Sequence, residues 1–244
     1  MKLNLKRLGV ALVTFMSGVV VTIVVWQLWA RYQQKVEIEP PYVSLESMLY
    51  PAGFPGRSVL ISHIKPSAKG YFPAGAWKGY EGRDGFVSEW YAKHLAAMNE
   101  PSLLASPSTQ REVYRFIWLR TFHHPLAIRL WRENSQAQLV AIELDGRGGY
   151  EPGAIIKDKP RRLTEQEWLE FLRLLNQTNY WTMPAEDPEI SGFDGAQWIL
   201  EAVREDRYHL VERWSPRRGE YHAACLYLLK IADIGLAGND RDVY

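Results

Sequence analysis

Two glutamates toward the C-terminal end, Glu201 and Glu212, lie in a pattern that can do acid/base work. The stretches AQWILEAVRE (196–205) and RYHLVERW (207–214) both read as strands, and a short link at Glu205-Asp206 joins them as a hairpin. In that register the two carboxylates share a sheet face as diagonal neighbours on adjacent strands, roughly 7–8 Å apart at Cα. Carboxylates so placed can act as general acid and base, and His209 supplies a third titrating side chain in the second strand. A slip of one residue would put the pair on opposite faces, and the link lacks the glycine that usually fixes such a turn. Arg204, Arg207 and Arg213 stand nearby, so a solvated ladder of ion pairs is the plainer reading.

A second set of residues suits binding. Arg115, Arg120, Arg129 and Arg132 interleave with aromatics that include Trp118 and Trp131. Arginine beside aromatic faces can engage anionic polymers or stack on bases, and close to a membrane it can meet anionic headgroups or a surface glycan. The plainer reading is again structural: cation–π and ion pairing across a sheet. Other candidates lack context. His123-His124 has no third metal ligand at a recognisable spacing. His222 and Cys225 share a helix face, where a core cysteine is the ordinary outcome. Ser62-His63-Ile64-Lys65 spells SxxK, but Pro66 and an extended neighbourhood deny it the helical turn that chemistry needs. Gly146-Arg147-Gly148-Gly149 follows a strand, as a phosphate loop does, yet Pro152 and a β-like stretch come next where a helix would be required. No metal or cofactor is implied.

The elements that must position these residues begin near Arg111. EVYRFIWLRTF alternates, with Tyr114, Phe116, Trp118 and Phe122 on one side and Val113, Ile117 and Leu119 on the other. LAIRLWR and AQLVAIEL follow across short turns, making an antiparallel meander. A short strand around 154–157 comes next. Thr164 and Glu167 form a capping box, ahead of a stripe of Trp168, Phe171, Leu172 and Leu175. A last helix from about Glu220 to Ile234 should bury Tyr221, Ala224, Cys225, Leu228 and Ala232. The order β-β-β-(β)-α-β-β-α predicts an α+β fold: an antiparallel sheet of about five to six strands with helices on one face, preceded by one transmembrane helix. Residues 42–110 are rich in Pro and Gly and read as loops draped over something else, with one helix from a Ser88 cap to about Met98. The organisation expected is a cytoplasmic 1–7, a membrane helix 8–30, a stalk 31–41, the loop-rich 42–110, the α+β domain 111–235 and a tail 236–244.

The membrane helix rests on Leu8 to Ala30, 23 residues without a formal charge in a chain of 244. About 20 apolar residues cross a bilayer, and Trp26 and Trp29 sit where indoles favour the headgroup layer. Lys2, Lys6 and Arg7 before the run, against Arg31 and Lys35 after it, favour a cytoplasmic N-terminus and an extracytoplasmic main domain. A cleaved signal peptide, giving a secreted protein, is the competing reading. Its apolar core would be long and WQLWARY bulky for a cleavage site. The first 35 residues hold five basic and no acidic side chains, so with the chain at +1 overall the remainder carries −4. A slightly acidic body lacks the footprint of a nucleic-acid binder. With a single cysteine there is no internal disulfide, and the domain must rest on its core.

HLAAMNEPSLL (94–104), VYRFIWLRTFHHPLAIRL (113–130) and DGAQWILEAVREDRYHLVERWSP (194–216), with the CLYLLK helix after them, resemble an uncharacterised family of bacterial membrane-anchored proteins. The resemblance spans about 150 residues. It implies a bacterial source and carries no catalytic residue across. The function expected is that of a single-pass, membrane-anchored extracytoplasmic binding or assembly module, held by lipid through 8–30 and contacting an envelope protein or another copy of itself. The alternative is an envelope hydrolase or transferase using Glu201, Glu212 or His209.

Overall fold

The computed structural model describes residues 58–77, 84–105, 112–133, 135–187, 192 and 194–234. The apolar run 8–30, the stalk and the tail expected from the sequence lie outside them. Among the described residues no helix is long and apolar enough to cross a membrane.

The fold is α+β. Strands β1 (Val59–Leu60), β2 (Glu112–Arg120), β3 (Leu126–Glu133), β4 (Gln136–Leu144), β5 (Ile155–Arg162), β6 (Ala196–Arg204) and β7 (Arg207–Trp214) form one seven-stranded sheet in the order β1-β7-β6-β2-β3-β4-β5. Every neighbouring pair is antiparallel. Strands β2 to β5 are the meander, and the β6–β7 hairpin returns to pair along β2. The seventh strand, beyond the six expected at most, is the two-residue β1, a length at which no period can be read.

Helix α1 (Asp84–Ala97) precedes the sheet's long strands, α2 (Glu165–Gln177) follows β5 and α3 (Glu220–Ile231) follows β7. Thr164 caps α2 through a reciprocal box: its hydroxyl accepts from the Glu167 N–H, and the Glu167 carboxylate accepts from the Thr164 N–H. Helix α1 starts a turn earlier than Ser88, which sits buried inside it and caps nothing. Its end is better defined. Asn99 takes a left-handed conformation (φ 56°), its N–H donates to Ala96 and the Glu100 N–H donates to Leu95. That is a Schellman stop, and Pro101 directly after it blocks continuation.

The sheet is covered on both faces, and this corrects the expectation of helices on one. Helices α2 and α3 cover the first face, packing Trp168, Phe171, Leu175, Tyr221, Cys225 and Leu228 on Tyr114, Phe116, Trp118 and Trp198. Trp118 and Trp198, directly opposite across β2 and β6, meet edge to face at 5.6 Å. Helix α1 and the chain on either side of it cover the second face, setting Phe72, Trp77, Tyr91, Leu95 and Leu103 on Ile117, Ile142, Ile199, Val203 and Leu210. Alternation in β2 therefore separates aromatic from aliphatic residues, and every residue from Val113 to Leu119 is buried. Phe122, expected to continue the aromatic face, lies past the end of β2 and is 48% exposed beside Tyr150.

The outer strand β5 is longer than the sequence suggests and mostly exposed. Its Lys157, Asp158, Lys159 and Pro160 are residue types that discourage another strand from adding to an edge. Truncating a central residue tests the two-sided core: Trp198→Ala should cost about 3–5 kcal/mol, read as a shift in the chemical-denaturation midpoint of the full chain with its slope unchanged.

Candidate functional site

Arg115, Arg129, Glu201 and Glu212 share the second face, and the side chains of Arg115 and Glu201 are wholly inside the protein. Arg115, at the centre of β2, stands opposite Glu201 on β6 and Arg129 on β3. All of the Arg115 side chain is buried. Its Nε and Nη2 donate to Glu201 Oε1 at 3.0 and 2.7 Å. Its Nη1 donates to Glu100 Oε2 (3.2 Å) and to the Pro101 carbonyl (2.6 Å). Arg129 Nε donates to both oxygens of the same Glu100, at 3.1 and 2.9 Å. The Tyr208 hydroxyl donates to the remaining Glu201 oxygen at 2.8 Å. Two cross-strand arginines would repel each other, and Glu100, set down between them by the Schellman stop, removes that penalty.

Burial works against the charge of Arg115, but Glu201 and Glu100 outweigh it and the guanidinium pKa is raised. Burial raises the Glu201 pKa, opposed by Arg115 and by the Tyr208 hydroxyl. Since a guanidinium keeps its proton and a lone buried cation is the costliest outcome, the pair is ionised at neutral pH.

Glu212 shares this face without joining the network. Glu201 pairs with Leu210 and Ile199 with Glu212, so the two carboxylates are diagonal neighbours on adjacent strands. Residues Glu205 and Asp206 make the two-residue turn with φ of 52° and 60°, which fixes the register although neither is glycine. Glu212 Oε1 accepts from the Tyr91 hydroxyl of α1 at 2.7 Å. His209 falls on the other face, opposite Ala202. There its Nε2 lies 3.0 Å from the Met183 carbonyl and its ring packs edge-on to Tyr180 at 5.0 Å. The three acid/base candidates therefore do not surround one space.

The remaining candidates are structural in the same sense. Arg120 stacks over Trp118 at 4.0 Å, Arg129 over Trp131 at 4.6 Å and Arg132 over Trp168 at 4.8 Å. His124 Nδ1 is 3.2 Å from a Glu143 oxygen. Cys225 is buried, and burial pushes its thiol well above the ordinary range, which leaves it unreactive. Ser62 and Lys65 are exposed, with Ile64 extended between them. The N–H groups of Gly146, Gly148 and Gly149 donate to Pro152, His123 and Thr121 carbonyls, so the loop has none of these to offer a phosphate. A Cβ on Gly148 would meet the Arg120 backbone at 2.6 Å, which explains that glycine by packing. Among the described residues no group of three or more His, Cys, Asp or Glu side chains is arranged for a metal.

An open depression of about 850 Å³ lies between α2 and α3, lined by Thr164, Leu169, Arg173, Tyr227 and Lys230 among others, and none of the sequence candidates reaches it. Sequence reasoning missed Glu100, Tyr91 and Tyr208, the three side chains that complete the second-face networks. The Asn-Glu-Pro run at 99–101 is the only local signal for Glu100, as a helix stop. No protein family, curated protein or solved structure matches the chain.

The network makes a two-part expectation. Arg115→Met should destabilise the full chain by about 3–5 kcal/mol, because Glu201 is left buried without its counter-charge. Arg115→Met combined with Glu201→Leu should cost less than the sum of the two single changes, measured as a double-mutant cycle in denaturant.

Proposed function

We propose that the chain is a single-pass membrane protein of a bacterial envelope and acts as a binding or assembly module. Residues 8–30 lie in the bilayer, the N-terminus in the cytoplasm and the main domain outside. The observation that carries the binding part is the closure of the Arg115 network on the second face. Arg115, Arg129, Glu100 and Glu201 hold one another, and Arg115, Glu201 and Glu100 are closed to solvent. Contact with a partner would then use the outer surface, where Phe122 and Tyr150 stand exposed with ring centroids 6.3 Å apart. Exposed aromatic rings supply area of the kind protein partners use. The partner class is an envelope protein or a second copy of the chain. The membrane part is supported by the charge-free run and its flanking basic residues.

One feature favours the alternative, an envelope hydrolase or transferase. Burial raises the Glu212 carboxyl pKa to about 7, a value suited to proton transfer near neutrality. The carboxyl is nevertheless covered, at 6% exposure, with Tyr91 bonded to it from above. A secreted form after cleavage near residue 30 is the alternative for location.

Reporter fusions after residue 40 and at the C-terminus test location. Activity of both only outside the cytoplasm, with Met1 retained, is the expected result. Activity inside reverses the orientation, and an N-terminus near Arg31 makes the protein secreted. Crosslinking in intact membranes tests the binding reading and should give a stoichiometric heteromeric or dimeric band. A monomer with no such band counts against it.

A further inference from the structure

Four parts of the chain meet at Glu212. It lies on β7 and its carboxyl faces α1 through the Tyr91 hydroxyl, at 2.7 Å. Trp77, from the 71–77 stretch, packs edge-on to the Tyr91 ring at 5.0 Å, and Glu186, from the 185–187 stretch, acts on the carboxyl by its negative charge. The Ala185 carbonyl, next to Glu186, accepts from the Glu212 N–H at 2.6 Å. None of these is a cation. Arg213, adjacent on β7, directs its guanidinium to the carbonyls of Pro184, Ala185 and Glu212. Glu201, the diagonal neighbour, is already neutralised by Arg115. Oxygen Oε2 of Glu212 is buried with no hydrogen-bond partner among the described residues. An ionised carboxylate in that setting has only neutral donors, the Tyr91 hydroxyl and the Trp77 indole, and no cation bonded to it, and a buried charge so poorly compensated is strongly disfavoured.

We propose that Glu212 is a proton-operated latch: protonated, it holds α1 and the 71–77 stretch on the sheet, and ionised, it loosens them. The latch works in the same way wherever the protein resides. Burial is the largest influence on the carboxyl, followed in the same direction by the negative charge of Glu186. Against them work the Tyr91 and Trp77 donors and Arg213, and the balance is a rise from 4.5 to about 7. The closed state therefore keeps its proton up to about pH 7, while the opened state loses it near pH 4.5. The stabilisation is complete below the lower value and disappears as pH rises through the upper one.

A second buried group on the same helix acts with the opposite sign. His94 of α1 is fully buried, with Nδ1 2.9 Å from the Trp90 carbonyl, and burial lowers its pKa below 6.5. Opening lets it take up a proton, so its contribution is lost as pH falls. Below about pH 6.5 the two groups partly cancel, and the raw pH profile of α1 hides both.

Hydrogen exchange of the α1 amides in the full chain, followed from pH 5 to pH 8 and corrected for intrinsic rates, separates them. The ratio of wild-type to Glu212→Gln opening constants removes His94 and every other shared group. That ratio should climb about tenfold per pH unit between pH 5 and 7 and then level. A ratio that stays constant across the range overturns the latch. Tyr91→Phe gives an independent reading if Glu212→Gln does not fold. Deleting a donor that stabilises the ionised form raises the closed-state pKa further, so the Tyr91→Phe to wild-type ratio should be flat to about pH 7 and rise above it. A ratio without that rise overturns the proposal equally.

Discussion

A guanidinium cannot shed its proton to escape a dry interior, so placing Arg115 at the centre of the middle strand imposes conditions on everything near it. The sheet supplies only part of what the group requires. Glu201 takes Nε and Nη2, but Nη1 has no partner within the sheet and is met by Glu100 and the Pro101 carbonyl. The second face is thus built so that it cannot stay bare. The chain on either side of α1 is held there by charge, through Glu100, as well as by the apolar rings of Phe72 and Trp77. The Schellman stop of α1 is what turns Glu100 toward the sheet, linking a local backbone device to the neutrality of the core.

The same network carries information about pairing. Arg129, Arg115 and Glu201 lie in one row across β3, β2 and β6. Moving any of these strands by one residue would carry its charged side chain to the aromatic face, among Trp118, Trp198 and Phe171, away from its present partners. An ion pair of this kind adds little net stability compared with an apolar substitute. Its effect is to make wrong registers expensive, and β6, approaching β2 from a distant part of the chain, is where that discrimination matters most.

What could be read in the sequence was what is local. The capping box at Thr164 and Glu167 and the stripe on α2 involve residues within a few turns, and both are present. The β6–β7 register followed from a two-residue link, even with Glu205 in a left-handed conformation that glycine would adopt more easily. What could not be read depends on distance. Tyr91 meets Glu212 from 121 residues away, and Arg115 meets Glu201 from 86. No periodicity marks such pairs. The second covering layer was illegible for a related reason: Pro and Gly break the pattern of 58–77, so its loops showed that something lay beneath them without showing what. Once both faces are covered, β2 offers no polar side from which to infer exposure.

The order of these parts along the chain has a consequence for assembly. Residues 58–77 and 84–105 leave the ribosome before any of the long strands they cover. Glu100 finds Arg115 only 15 residues later, but Glu201 and Tyr208 emerge near the end of the domain. Until they do, the charged centre of the sheet is half complete and the aromatic rings of the first-made segment lack the part of their surface formed by Ile199, Val203 and Leu210. Such long-range closure is slow and leaves apolar surface open meanwhile. The earliest part of the domain to be synthesised is therefore fully seated only once the β6–β7 hairpin has been made.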